Sequence, residues 1–140
     1  MIYLLDTNVV SELRSRRNRE PDARVAAWAQ SIAPSSLYLS VISILEIEMG
    51  VLQKQRSDPK QAAVLRAWLE SHVLPSFAGR ILAVDTAIAK RCASLHVPDP
   101  CSYRDSLIAA TALVHGMTVV TRNVFHFQRT GVAVFDPWQA

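Results

Sequence analysis

The sequence predicts an α/β domain whose mostly parallel central sheet is covered by helices on both faces. Two observations carry that prediction. Short apolar runs of strand length alternate along the chain with longer stretches whose apolar residues recur at helical spacing, the pattern of parallel strands joined by right-handed crossover helices. The chain has 140 residues, half of them apolar, enough for one compact core and too few for two, so residues 1–140 are expected to form a single domain.

The first element is Ile2 to Leu5, an apolar run of buried-strand length that stops abruptly on Asp6-Thr7-Asn8. Open α/β sheets bind ligands beyond the carboxyl ends of their strands, so an Asp delivered to such an end is a candidate functional residue. Val9 to about Arg14 follows as a short helix. Pro21 and Asp22 open a second helix through Ile32, with Val25, Trp28 and Ile32 at helical spacing. Leu37 to Leu39 reads as a second strand, and Ser40 is placed to cap a helix from Val41 to about Gln53. Asp58-Pro59 restarts the chain as a helix running to Pro75. Ile81 to Val84 is a third strand, after which Asp85 caps a helix through about Leu95. Val97-Pro98-Asp99-Pro100 is a loop, because two prolines so close fit neither a helix interior nor a central strand. Arg104 to His115 is a helix, apolar almost all round and therefore buried, with Gly116 as its C-cap. Thr118 to Val120 is a strand, Thr121 to Gly131 a loop, and Val132 to Phe135 a last strand stopped by Asp136-Pro137.

Composition narrows the function classes. Cys92 and Cys101 share no ligand-like spacing with each other or with the four histidines, so the expectation is reduced thiols rather than a zinc motif or a disulfide. No apolar stretch is long enough for a membrane span, and the apolar start ends at Asp6 without a basic leader, which predicts a cytoplasmic protein with no membrane partner. The net charge of +3 is mild but clumped in Arg14, Arg16, Arg17 and Arg19. That run reads either as a phosphate-contacting patch or as a solvated loop.

Three acids stand where this architecture would converge: Asp6 after the first strand, Glu46 or Glu48 on the third helix, and Asp105 in the first turn of the late helix. Asp105 alone has a plain structural explanation, since the helix dipole favours a first-turn carboxylate. On a helical wheel Glu48 falls within an apolar stripe of Ile44, Leu45, Val51 and Leu52, with Glu46 on the other side beside Ser43, Gly50 and Gln53. Periodicity therefore nominates Glu48 as the unusual buried acid; its structural alternative is a carboxylate paired with an arginine, or one that reaches the surface at a subunit contact. Carboxylates crowded about 4 Å apart repel by roughly 4 kcal/mol per pair at an effective dielectric near 20, so a cluster would protonate or bind a cation. Hard oxygen donors suit Mg²⁺ or Mn²⁺, which can activate a water for phosphodiester hydrolysis.

Four segments in order, Leu4-Leu5-Asp6-Thr7-Asn8-Val9-Val10-Ser11-Glu12, Ser40 to Gly50, Asp105-Ser106-Leu107-Ile108-Ala109-Ala110-Thr111-Ala112 and Val119-Val120-Thr121-Arg122-Asn123, closely resemble the PIN-domain ribonucleases, especially the VapC and FitB-like toxins of toxin–antitoxin pairs. The resemblance extends to Phe135-Asp136-Pro137-Trp138. It implies a three-layer α/β/α fold and a Mg²⁺- or Mn²⁺-dependent endoribonuclease acting on structured RNA. The implied ligand acids match Asp6, Glu46 and Asp105; the matched glycine, Gly50, places the helix acid at Glu46. Asn8 and Thr121 match small polar residues that orient the acids or bound water. Implied partners are a cognate antitoxin, held through a helix or extended tail in a groove, and a second copy of the chain, with a higher assembly forming with the antitoxin.

One departure matters. Where many relatives carry a fourth acid, this chain has Asn123 and His126, which implies weaker metal binding or a single ion. His126 reads as an exposed loop histidine, with the positioning of a phosphate or leaving group as its functional alternative. Two other readings compete with a nuclease. A PIN-like module without efficient chemistry would hold RNA or an antitoxin only. A phosphoacceptor receiver domain also gathers acids at strand ends, but it requires a late-strand lysine that Thr118 to Val120 does not lead to.

Overall fold

A computed structural model describes all of residues 1–140. Five short strands form one sheet in the order β3-β2-β1-β4-β5, with β1 at Tyr3–Leu5, β2 at Leu37–Ser40, β3 at Ile81–Leu82, β4 at Thr118–Val120 and β5 at Val134–Phe135. Every neighbouring pair is parallel, as the strand–helix alternation predicts. The helices are α1 (Thr7–Glu12), α2 (Ala23–Ser31), α3 (Val41–Ser57), α4 (Pro59–Trp68), α5 (Leu74–Ser76), α6 (Thr86–Leu95) and α7 (Tyr103–His115). None is long and apolar enough to cross a membrane.

Local chemistry sets most helix starts. Asp22 accepts from the Arg24 and Val25 N–H groups, Ser40 from Ile42, Asp58 from Gln61 and Asp85 from Ile88, each occupying a donor that the first turn leaves unpaired. Successive strand residues point to opposite faces, and both faces are dry. Leu5 and Val120 pack with Val9, Val10, Val25, Leu69 and Val73 on one side, while Leu4 and Val119 pack with Ile108, Ala109, Ala112 and Phe127 on the other. The result is three layers, with β1 and β4 central.

Several boundaries differ from the sequence reading. The third helix continues to Ser57 because nothing between Gln53 and Asp58-Pro59 breaks it. The stretch from Pro59 to Ser76 is interrupted by a π-helical segment, Leu69–Val73, which turns Leu69 and Val73 into the core. β3 stops at Leu82 and β5 begins only at Val134, since each edge strand pairs over two residues with one neighbour. The loop from Thr121 to Gly131 contains two 3₁₀ turns, Val124–His126 and Gln128–Thr130.

Candidate metal centre

Parallel pairing of the two central strands creates the site. The register aligns Leu5 with Val120, so the next residues, Asp6 and Thr121, leave the sheet side by side at its carboxyl edge. The Asp6 N–H donates to the Val120 carbonyl at 2.8 Å and carries the ladder one residue further. Asp6 then caps α1: one carboxylate oxygen accepts the Thr7 N–H at 2.8 Å and the other accepts the Thr121 hydroxyl at 2.8 Å. The Asn8 side chain donates to Thr121 Oγ1 at 3.3 Å and to Asp6 Oδ2 at 3.4 Å, and its own oxygen accepts the Arg122 N–H. Asn8 and Thr121 thus fix the orientation of Asp6.

Glu46 comes from α3, one turn beyond the buried Ile42 and Ser43. Its Oε1 accepts the Thr7 hydroxyl at 2.8 Å, with the Ser43 hydroxyl 2.9 Å from the same oxygen of Thr7. Its Oε2 lies 3.5 Å from the guanidinium of Arg104. Asp105 stands in the first turn of α7, where its N–H donates to the Ser102 hydroxyl, and its Oδ2 is 3.2 Å from His126 Nδ1. Glu46 and Asp105 side chains are 25% and 28% exposed, so both can be reached from solvent, whereas Asp6 is only 6% exposed.

The three carboxylates border one open cleft. Their mutual influence shows at Asp6. Burial pushes its carboxyl above the ordinary Asp value, hydrogen bonds from Thr121 and Thr7 pull it back, and the charges of Glu46 and Asp105 raise it further. The donors are all carboxylate oxygens, the set that suits a hard divalent cation. No three acidic, histidine or cysteine side chains stand at metal-ligand spacing as arranged here. Glu46 and Asp105 instead lean on Arg104 and His126. In donor chemistry, then, the cleft fits Mg²⁺ or Mn²⁺.

The other sequence expectations divide. Asn123 lines the cleft and donates its N–H to Thr121 Oγ1 at 3.0 Å. His126 is half exposed, yet it contacts Asp105 rather than standing free in its loop. The arginines of the run make different contacts. Arg14 lies over the Trp68 ring at 5.8 Å, and burial lowers its pKa; Arg19 pairs with Glu12 at 3.0 Å; Arg17 is exposed; Arg16 lines the cleft. Arg16 donates one guanidinium nitrogen to the Ser11 carbonyl, while its buried Nη1 has no partner.

Glu48 is not the buried acid that periodicity nominates. It forms a two-pronged ion pair with Arg66, whose guanidinium pulls the Glu48 carboxyl below its usual range. Leu45 and Leu52, which a helical wheel groups with Glu48, are exposed; the inward row is Ile42, Ser43, Ile47 and Val51. Three further residues were not singled out. Thr7 links the Asp6 and Glu46 segments, and its signal was its place inside Asp-Thr-Asn. Arg104 directly precedes Asp105. Arg122 lies over the buried Trp138 ring at 5.2 Å, a pairing of distant residues that spacing cannot reveal.

Comparison with known proteins covers nearly the whole chain. The family model described as PIN domain matches residues 3–132. Toxin FitB of Neisseria gonorrhoeae is 41% identical over an alignment covering 98% of this chain and 99% of that protein. VapC ribonuclease Y4jK of Sinorhizobium fredii is 36% identical, covering 99% of each. Among solved structures, a chain of FitAcB from Neisseria gonorrhoeae superposes with a TM-score of 0.87 at 39% identity, covering 99% of this chain and all of that one.

Proposed function

The chain belongs to the PIN-domain family, and from that premise we propose that it is the ribonuclease toxin of a toxin–antitoxin pair, hydrolysing RNA with the help of Mg²⁺ or Mn²⁺. The observation that carries the chemistry is the convergence of Asp6, Glu46 and Asp105, from three separate elements, on one cleft at the carboxyl edge of a parallel sheet. These three residues would hold the ion. When bound, such an ion lowers the pKa of a water and offsets the charge that builds on the phosphoryl oxygens.

The protein's own groups do the rest. Thr121 and Asn8 hold Asp6 in one orientation, and Thr7 does the same for Glu46. Arg104 and His126, which touch the outer carboxylates, would offer the RNA phosphate a guanidinium and a ring N–H at the same cleft. Arg16 and Arg122 line the same cleft and would add positive charge for the phosphate backbone beside the carboxylates. Arg14 and Arg19, which are engaged elsewhere, contribute less. Structured RNA offers unpaired loops, the form in which most sequence-selective proteins read RNA.

A protein antitoxin and a second copy of the chain complete the reading. The exposed row Leu45, Met49 and Leu52 on α3 is suited to self-association. A second reading, a PIN module that binds RNA without cleaving it, draws on the neutral Asn123 and on the absence of a preassembled three-ligand cage. One experiment separates the two. Purified protein is incubated with transfer and ribosomal RNA under titrated Mg²⁺ or Mn²⁺, alongside Asp6→Asn, Glu46→Gln and Asp105→Asn. Cleavage by the wild type, stopped by EDTA and lost at least about a hundredfold in each folded variant, supports the enzyme. Cleavage at wild-type rates in any one variant would sink the assignment, and RNA binding with no cleavage at any metal concentration favours the binding module.

A further inference from the structure

Phe125 is 81% exposed, more than any other large hydrophobic residue except the terminal Met1. Its position is not a product of a loose loop. The 3₁₀ turn that carries it is closed by the His126 N–H on the Asn123 carbonyl and the Phe127 N–H on the Val124 carbonyl, both at 3.0 Å. On one side the turn is pinned by the Asn123 N–H on Thr121 Oγ1, and on the other by Phe127, which is fully buried in the core. A ring held outward by a turn anchored at both ends is presented to something.

Its neighbours indicate what. Asn123, two residues before it, lines the carboxylate cleft, and His126, next to it, touches Asp105. The Phe125 and His126 rings meet at a steep angle with centroids 6.4 Å apart, and most of the Phe125 ring remains exposed. Arg122 and Arg104, both exposed, supply positive charge on the same side of the molecule. An exposed aromatic ring beside cations and a phosphodiester-cleaving cleft is the combination that grips a single strand, with bases on rings and phosphates on guanidinium groups. A base inside a duplex has both faces covered by its neighbours and cannot offer one.

We propose that Phe125 is a stacking platform for an unpaired nucleobase next to the scissile phosphate, and that it makes the cleft selective for single-stranded RNA. This rests on the ribonuclease reading and adds a base-binding position to it. The test compares wild type with Phe125→Ala, Phe125→Leu and Phe125→Trp on an RNA hairpin that the wild type cleaves in its loop, and on the same strand annealed to its complement. Binding is measured separately by fluorescence anisotropy in an Asp6→Asn background, where cleavage does not interfere. Phe125→Ala and Phe125→Leu should raise KM and the dissociation constant by about tenfold with kcat nearly unchanged, whereas Phe125→Trp retains wild-type values and its fluorescence is quenched by the strand. An abasic nucleotide at the stacked position should cost the wild type the same factor and cost Phe125→Ala nothing more. Unchanged KM in Phe125→Ala overturns the proposal, as does equal binding of the duplex, or a change confined to the oligomeric state. If the wild type cleaves nothing but single-strand affinity still falls in Phe125→Ala, the nuclease reading fails and the stacking platform stands.

Discussion

Asp6 shows how a single carboxylate is held against its own solvation preference. It is buried at the end of β1, and hydrogen bonds led by those from Thr121 and Thr7 offset the cost of its charge, while Glu46 and Asp105 add to that cost. The sign of the pH dependence follows. With its folded pKa raised above an unfolded value of about 3.9, Asp6 keeps its proton in the folded chain after the unfolded chain has lost it. Its contribution to stability therefore declines as pH rises from about 4 through the raised value. Asn at this position does not titrate and still caps a helix. The melting temperature of Asp6→Asn minus that of the wild type should accordingly increase between pH 4 and pH 7 in metal-free buffer. A flat or falling difference in matched thermal melts would mean that the hydrogen bonds, not burial, dominate Asp6. The sequence indicated this residue because an apolar run ending on Asp-Thr-Asn is an abrupt change of chemistry. Thr121 beside Asp6 is implied by the family resemblance alone, since no local pattern reports the register of β1 with β4 that brings the two together.

At the scale of elements, the ends of segments were more legible than their faces. Caps are local chemistry, and Asp22, Ser40, Asp58 and Asp85 all accept the N–H groups that their positions suggest. Gly116 is equally local: it ends α7 at φ 69° in the left-handed region, and an added Cβ would meet nothing within 4 Å. Gly116→Ala should therefore cost only the backbone penalty, about 1 kcal/mol, read as a drop of roughly 3 °C in melting temperature with the cleavage rate per folded molecule unchanged. A loss several times larger would reveal a packing role that the open space around it does not suggest. The face of α3 is different, because periodicity reports apolar residues without saying what covers them. Leu45, Met49 and Leu52 are apolar and exposed, while Ser43 is polar and fully buried between the core and Thr7. A wheel that counts hydrophobic residues is drawn toward the exposed row and puts Glu48 inside. Arg66, eighteen residues further on, is what accommodates Glu48, and only the packing of α4 against α3 brings it there.

Across the whole molecule, a chain of net charge +3 gathers three carboxylates at one sheet edge and rings them with Arg16, Arg104 and Arg122. On the metal-dependent reading proposed above, that arrangement would couple metal affinity to the stability of the fold. Asp6, Glu46 and Asp105 lie on β1's end, α3 and α7, so a cation gripped by all three ties together segments far apart in sequence, and the unfolded chain has no comparable site. A ligand that binds only the folded state stabilises it by about 2.7 kcal/mol at a hundred times its dissociation constant. For a domain of this size that corresponds to roughly 8 °C in melting temperature. Titrating Mn²⁺ into the wild type should thus raise the melting temperature progressively, with a smaller shift or none in Asp105→Asn. Removing the competing guanidinium in Arg104→Ala should move the titration to lower Mn²⁺ concentration, because Glu46 then has no protein cation to leave. Equal Mn²⁺ shifts in the wild type and Asp105→Asn would place any bound ion outside this cleft. A titration that Arg104→Ala leaves in place would show that the Arg104–Glu46 contact, spaced at 3.5 Å and half exposed, is too weak to compete, in keeping with the small worth of solvent-screened pairs.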